Sequence, residues 1–407
     1  MNNAVEKLDK RNKYCFGLGT IGRDMFYSVV SMYLMTYLTE VLQLSDSMLV
    51  KMTTMLLVLR IFDAVNDPFM GVVIDNTMGR FGKFKPWIAM GAVTGGAAML
   101  LMFTDMGLTG TAFVLVMGAL YLVWDLTYGL NDIAYWSMLP SLTLHQKERE
   151  RIGAFARICA NVGMFSVVVA ILPVTGALGE LLGSAQKGWF VFAAAVVLLM
   201  LGFQCITLFG VSNKAVNFKR EDKTTLKEMV SVLFKNDQLL WTAIAMALFN
   251  IGYFTTTSFG VYFFTYAYKD ANMYSIFAVV LAVSQLTALA VFPKFSAKYS
   301  RKQLYAFSTA LVLAGYALFF FSPMNMIYIG VAGVLIFVGQ AFIQLMMLMF
   351  LSDTIEYGQW KLGKRNESVT LSIQPLLNKL GGAVSTGIVG YTLVISGINE
   401  ALSLIHI

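Results

Sequence analysis

The stretch RIFDAVNDPFMG, residues 60–71, sets one arginine, two aspartates and an asparagine inside a long apolar run. On a helix, positions three and four apart share a face. Asp63, Asn66 and Asp67 therefore form one polar patch, with Arg60 one turn before it. Two carboxylates and an amide oxygen are hard ligands that suit Na+ or Li+, and a carboxylate can also carry H+ directly. Pro68 frees a backbone carbonyl in the turn before it, which offers one more oxygen.

A second constellation lies in YGLNDIAYWSMLP. Tyr128 and Asp132 stand four apart, as do Asp132 and Trp136. A carboxylate flanked by aromatic rings suits a sugar: the carboxylate accepts from hydroxyls and a ring covers the apolar C–H face. Asp24 has Arg23 beside it, with Tyr27 and Ser28 within a turn. Arg157 and Lys379 are further bases in apolar runs, able to neutralise these acids when neither cation nor sugar is bound. Asp125, Asp353 and Glu356 add to the acids. At the centre of a membrane helix each such charge costs about 2.5–3.5 kcal/mol. One ion pair can serve as helix glue. Acids and bases spread over five different runs exceed that need and point to a pathway.

The elements that must position these groups are membrane helices. The chain has 407 residues, 57% hydrophobic and 13% charged, against about 25% charged in a soluble domain. Runs long enough to span, about 20 residues, lie near 14–40, 48–74, 86–104, 111–140, 152–178, 188–211, 238–266, 272–293, 303–321, 326–352 and 368–396. The expected fold is all-helical and integral to the membrane. Of the 30 Lys and Arg residues, 23 fall at the N-terminus and in the even-numbered loops, three in the odd loops and four inside spans. That alternation predicts a cytoplasmic N-terminus in a plasma (inner) membrane. It also accounts for the net charge of +7 without nucleic acid. The three cysteines and two histidines show no metal-ligand spacing.

The long basic loop 212–237 divides the chain into an N-terminal six-helix half, 1–211, and a C-terminal half, 238–407, with five spans. Six plus six is the plan of the major facilitators, so a twelfth helix is expected beyond this sequence. The second loop, GVVIDNTMGRFGKFKPW, carries Asp75 and Arg80. With Glu367 in the tenth loop, these are the candidates for coupling and gating. The Met-rich run 345–351 reads as packing.

RIFDAVNDPFMG followed by GRFGKFKPW, with FGLGTIGRD before and NDIAYWSMLP after, resembles the glycoside–pentoside–hexuronide:cation symporter family. The resemblance runs through all eleven spans. The segment SDTIEYGQWKLGKRNESVTLSIQPLLNKLGGAVSTGIVGY is most similar to the lactose and raffinose permease branch. It implies a cation site at Asp63, Asn66 and Asp67. It implies sugar-binding acids at Asp24 and Asp132 with Tyr128 and Trp136 beside the sugar, and Arg157 and Lys379 closing the network. Arg23 stands where the family's melibiose carrier has a lysine. Gly129 replaces a threonine that helps hold Na+ there, which favours H+. Gln344 replaces a tryptophan near the sugar, so Gln344 is a candidate specificity residue. Lys364 replaces a histidine of some lactose permeases, while Glu367 is retained.

The resemblance thus implies uptake of a galactoside such as lactose, melibiose or raffinose with H+ or Na+, and no cofactor. It also implies a phosphotransferase-system regulator as a cytoplasmic partner. Another glycoside, a pentoside or a lysophospholipid is the alternative cargo. An intramembrane enzyme would need a nucleophile–base pair or metal motif that the sequence does not offer. A channel would not need repeated halves with dense intramembrane charge.

Overall fold

The computed structural model describes residues 10–77, 81–143, 145–212, 234–270, 272–363 and 366–395. Arg80 and Lys364 lie outside the described residues. Apolar runs without water must satisfy their own backbone groups, and helices do so internally. The order is α1 Lys10–Thr36, α2 Asp46–Asp75, α3 Lys85–Met102, α4 Gly110–Leu142, α5 Gln146–Leu182 and α6 Ala185–Gly210. It continues with α7 Asp237–Tyr262, α8 Asn272–Lys298, α9 Arg301–Phe321, α10 Met326–Leu362, α11 Glu367–Leu371 and α12 Ile373–Ile395. Eleven of these have 18 residues or more, one for each expected span.

Among the described residues, seven helices are long and apolar enough to cross a membrane: α4 to α10. The charge-bearing α2 is not one of them. Two features were not legible beforehand. Single π-helical turns extend α1 at Tyr37–Val41 and α7 at Phe263–Ala267. The expected span 368–396 is broken at Ser372 into the five-residue α11 and the long α12. Pro375 sits in the first turn of α12, where its missing N–H costs nothing.

The chain forms two compact units. The first is Met1–Met229 with Asn366–Ser372, and the second is Val230–Arg365 with Ile373–Ile407. In the first, α1 packs on α5 and α6, α3 on α4, and α2 on α4, while α11 packs on α2. Its core includes Phe26, Tyr37, Phe103, Trp124, Trp189 and Met200, all buried. In the second, α7 packs on α12, and α9 and α8 on α10. Its aromatic core holds Phe264, Phe277, Ile336 and Phe337.

Candidate functional site

The centre of the first unit is a fixed stretch of α1. A Cβ on Gly22 would lie 2.6 Å from Met200 Cα, and one on Gly163 only 2.2 Å from the Ile21 carbonyl oxygen. Only glycine allows α1 to approach α6 and α5 so closely. Polar ties fix its rotation. The Thr20 hydroxyl donates to the Ala156 carbonyl at 2.8 Å, and the Gln204 amide to the Gly19 carbonyl at 3.4 Å. Tyr135 donates to the Phe16 carbonyl.

This rotation aims Arg23 inward, where it is 2% exposed. Its guanidinium bridges two helices. Nη2 pairs with Asp24 Oδ2 and Nη1 with Asp132 Oδ1, both at 2.9 Å. The fork geometry of arginine suits two carboxylates at once. Asp24 and Asp132 stay 23% and 21% exposed at their side chains. The guanidinium carbon of Arg23 also lies 5.0 Å from the Tyr135 ring centre and 5.2 Å from that of Trp136. Arg157 covers Trp136 too, at 4.4 Å. Trp136 is thus buried beside two guanidiniums. The bridge that Arg23 makes across 109 positions is the feature that sequence spacing missed.

On α2, Asp63 and Asp67 are 4% and 1% exposed, and Asn66 is half-buried. Two contacts set the register of α2 on α4. A Cβ on Gly118 would meet Met55 Sδ, and one on Gly129 would stand 3.6 Å from Asp67 Oδ1. Eleven positions on α4 match twelve on α2, so the helices run parallel. Gly118, Asp125 and Gly129 share a face of α4 at spacings of seven and four. Buried Asp125 therefore stands level with Asp63. Gly129 faces Asp67, while its neighbours Tyr128 and Asp132 face α1. One turn of α4 separates the level of Asp67 from the Arg23 bridge, and two turns that of Asp63.

At the far end of α2, Asp75 accepts from the backbone N–H groups of Ser368 at 3.0 Å and Val369 at 2.9 Å. Lys83 Nζ pairs with Asp75 at 2.7 Å and reaches Glu367 at 3.7 Å. Lys83 and Glu367 are buried. The structure thus joins Asp75 to Glu367 through Lys83.

Gln344 and Lys379, both half-buried, belong to the second unit. One turn before Gln344, Gln340 is buried and donates to the Tyr316 hydroxyl at 3.5 Å. Beside Lys379, Asn378 accepts from Asn250 at 2.8 Å. Arg301 pairs with Asp353. Among the described residues no group of three or more His, Cys, Asp or Glu is placed to hold a metal ion.

The profile of the family described as MFS/sugar transport protein matches residues 15–405. A raffinose carrier protein of Pediococcus pentosaceus is 34% identical over 94% of this chain and 62% of its own length. A lactose permease of Lactobacillus delbrueckii subsp. bulgaricus is 33% identical over 95% of this chain and 63% of its own. The chain therefore spans less than two thirds of these relatives. Among solved structures, the proton:xylose symporter XylE superposes with a TM-score of 0.60 at 14% identity, covering 96% of this chain and 89% of that one. A variant of the E. coli fucose:proton symporter FucP gives 0.68 at 12%, covering 95% and 92%. At such identities these likenesses carry the fold alone. The helices, their apolar length and the profile match agree: this multi-pass membrane chain belongs to the MFS/sugar transport protein family.

Proposed function

We propose that the chain is a cation-coupled symporter of a galactoside such as lactose, melibiose or raffinose, with H+ the favoured ion. It would act in the plasma membrane with its N-terminus in the cytoplasm. The observation that carries this reading is the Asp24–Arg23–Asp132 bridge, with the Asp63/Asp67 patch one to two turns of α4 away.

The charge count supplies the coupling. By sequence, the middle turns of α1, α2, α4 and α5 carry five acidic residues (Asp24, Asp63, Asp67, Asp125, Asp132) against three arginines (Arg23, Arg60, Arg157). With all groups ionised this leaves an excess of two negative charges, which is costly in a membrane interior. Taking up H+ or Na+ at Asp63, Asn66 and Asp67 relieves it. Sugar hydroxyls then donate to Asp24 and Asp132, competing with Arg23, while Arg157 holds Trp136 in place. Lys379 and Gln344 are the sugar-recognition candidates of the second unit. The Asp75–Lys83–Glu367 cluster takes the coupling role on the cytoplasmic side, where a phosphotransferase-system regulator would bind. The relatives' names, a raffinose carrier and lactose permeases, support the sugar class.

The test is uptake of labelled lactose, melibiose, raffinose and xylose by cells expressing the chain and its Asp132→Ala variant. Uptake of a galactoside that falls at least tenfold in the variant is expected. Cargo transport insensitive to Asp132→Ala would instead indicate a lipid-like substrate.

A further inference from the structure

Beside the bridge lies a set of rings that the charge network does not use. Tyr27 of α1 stacks on Tyr128 of α4, centroids 4.6 Å apart and planes at 23°. Trp124 lies at 14° to Tyr27, 6.0 Å away, and at 11° to Tyr128, 5.9 Å away. The three planes are nearly parallel and form one oriented platform. Trp124 is buried under it and Tyr128 is half-buried, while Tyr27 keeps 41% of its surface open.

The platform has a defined place relative to the acids. Along the α1/α4 pair, Phe16 meets Trp136, Arg23 meets Asp132, and Tyr27 meets Tyr128 and Trp124. Numbers rise on α1 as they fall on α4, so the helices run antiparallel. Tyr27 follows Asp24 by three positions and Tyr128 precedes Asp132 by four, which puts both rings on one side of the carboxylates. The offset is about one helical turn, roughly 5 Å, comparable with the length of a sugar ring. A flat, electron-rich face suits the apolar C–H face of a pyranose, and a phenol edge suits its hydroxyls.

We propose that Tyr27, backed by Tyr128 and Trp124, is a second sugar-ring subsite. It stacks on the glycosidically linked neighbour of a galactosyl ring held by Asp24 and Asp132, and so favours di- and trisaccharides over single-ring galactosides. This rests on the galactoside reading above.

The test compares KM for uptake of methyl β-galactoside, lactose and raffinose in cells expressing the wild-type chain, Tyr27→Leu and Tyr27→Trp, with membrane levels measured. Tyr27→Leu keeps the apolar bulk that packs on α4, so loss of the fold does not mask the result. Tyr27→Leu is expected to raise KM for lactose and raffinose about fivefold, in line with the worth of one aromatic stacking contact. The methyl β-galactoside value should move less than about twofold, and Tyr27→Trp should restore the two larger sugars. Equal KM changes for one-ring and multi-ring sugars, or none for any, would overturn the subsite and leave the galactoside reading standing. Absence of uptake of all three sugars by the wild-type chain would overturn both.

Discussion

At the residue scale the patterns readable beforehand were those carried by one helix. Asp63, Asn66 and Asp67 announce themselves because charges are expensive in an apolar run, and their spacing fixes a shared face. Arg23 shows the limit of such reading. Its adjacency to Asp24 was plain, but its pairing with Asp132 depends on which helices touch. Trp136 shows another limit. Its type suggested a surface for sugar but gave no sign of the two guanidiniums beside the ring, Arg23 and Arg157. Gly129 yields a direct prediction. A Cβ there would be in ordinary contact with Asp67 Oδ1 at 3.6 Å, so a threonine fits and adds a hydroxyl ligand beside the patch. Gly129→Thr is expected to make sugar uptake rise at least twofold on adding Na+, measured at fixed pH. Unchanged Na+ dependence would count against a cation at Asp67.

At the element scale, α1 is held by close approach and α11 by charge. Gly22 meets the Met200 backbone at 2.6 Å for an added Cβ, and backbone cannot step aside as a side chain can. Gly22→Ala should therefore cost about 1–3 kcal/mol through overpacking. It should also weaken sugar binding, because it turns Arg23 and Asp24 away from α4. Thermal unfolding in detergent checks the first effect and uptake kinetics the second. The loop after α2 looked like a basic topology signal with one acid in it. Its internal order, with Asp75 holding two N–H groups of α11 and Lys83 between Asp75 and Glu367, joins segments nearly 300 positions apart. No local pattern could have revealed it. Asp75→Ala strands two backbone donors and removes the 2.7 Å partner of Lys83. A loss of about 3 kcal/mol in stability follows, read as a lower unfolding temperature. Asp75→Asn, which keeps an acceptor oxygen, should lose less.

At the scale of the whole molecule, hydropathy alone was sufficient to count the long helices, because a membrane leaves the backbone few choices. It did not reveal that residues 366–372 pack with the first unit, since hydropathy carries no partner information. Family membership follows from the profile match. On the proposed function, coupling has a physical reason: an acid-rich interior that a cation would balance before a sugar engages the bridge.

The most direct test of that claim uses de-energised cells expressing the chain, with external pH recorded as lactose, melibiose or raffinose is added. The account predicts transient alkalinisation with a galactoside that is abolished in Asp63→Cys and in Asp67→Cys, while both variants remain in the membrane. Galactoside entry with the same pH change in both variants would contradict it, because the coupling ion would then not be held by the α2 carboxylates.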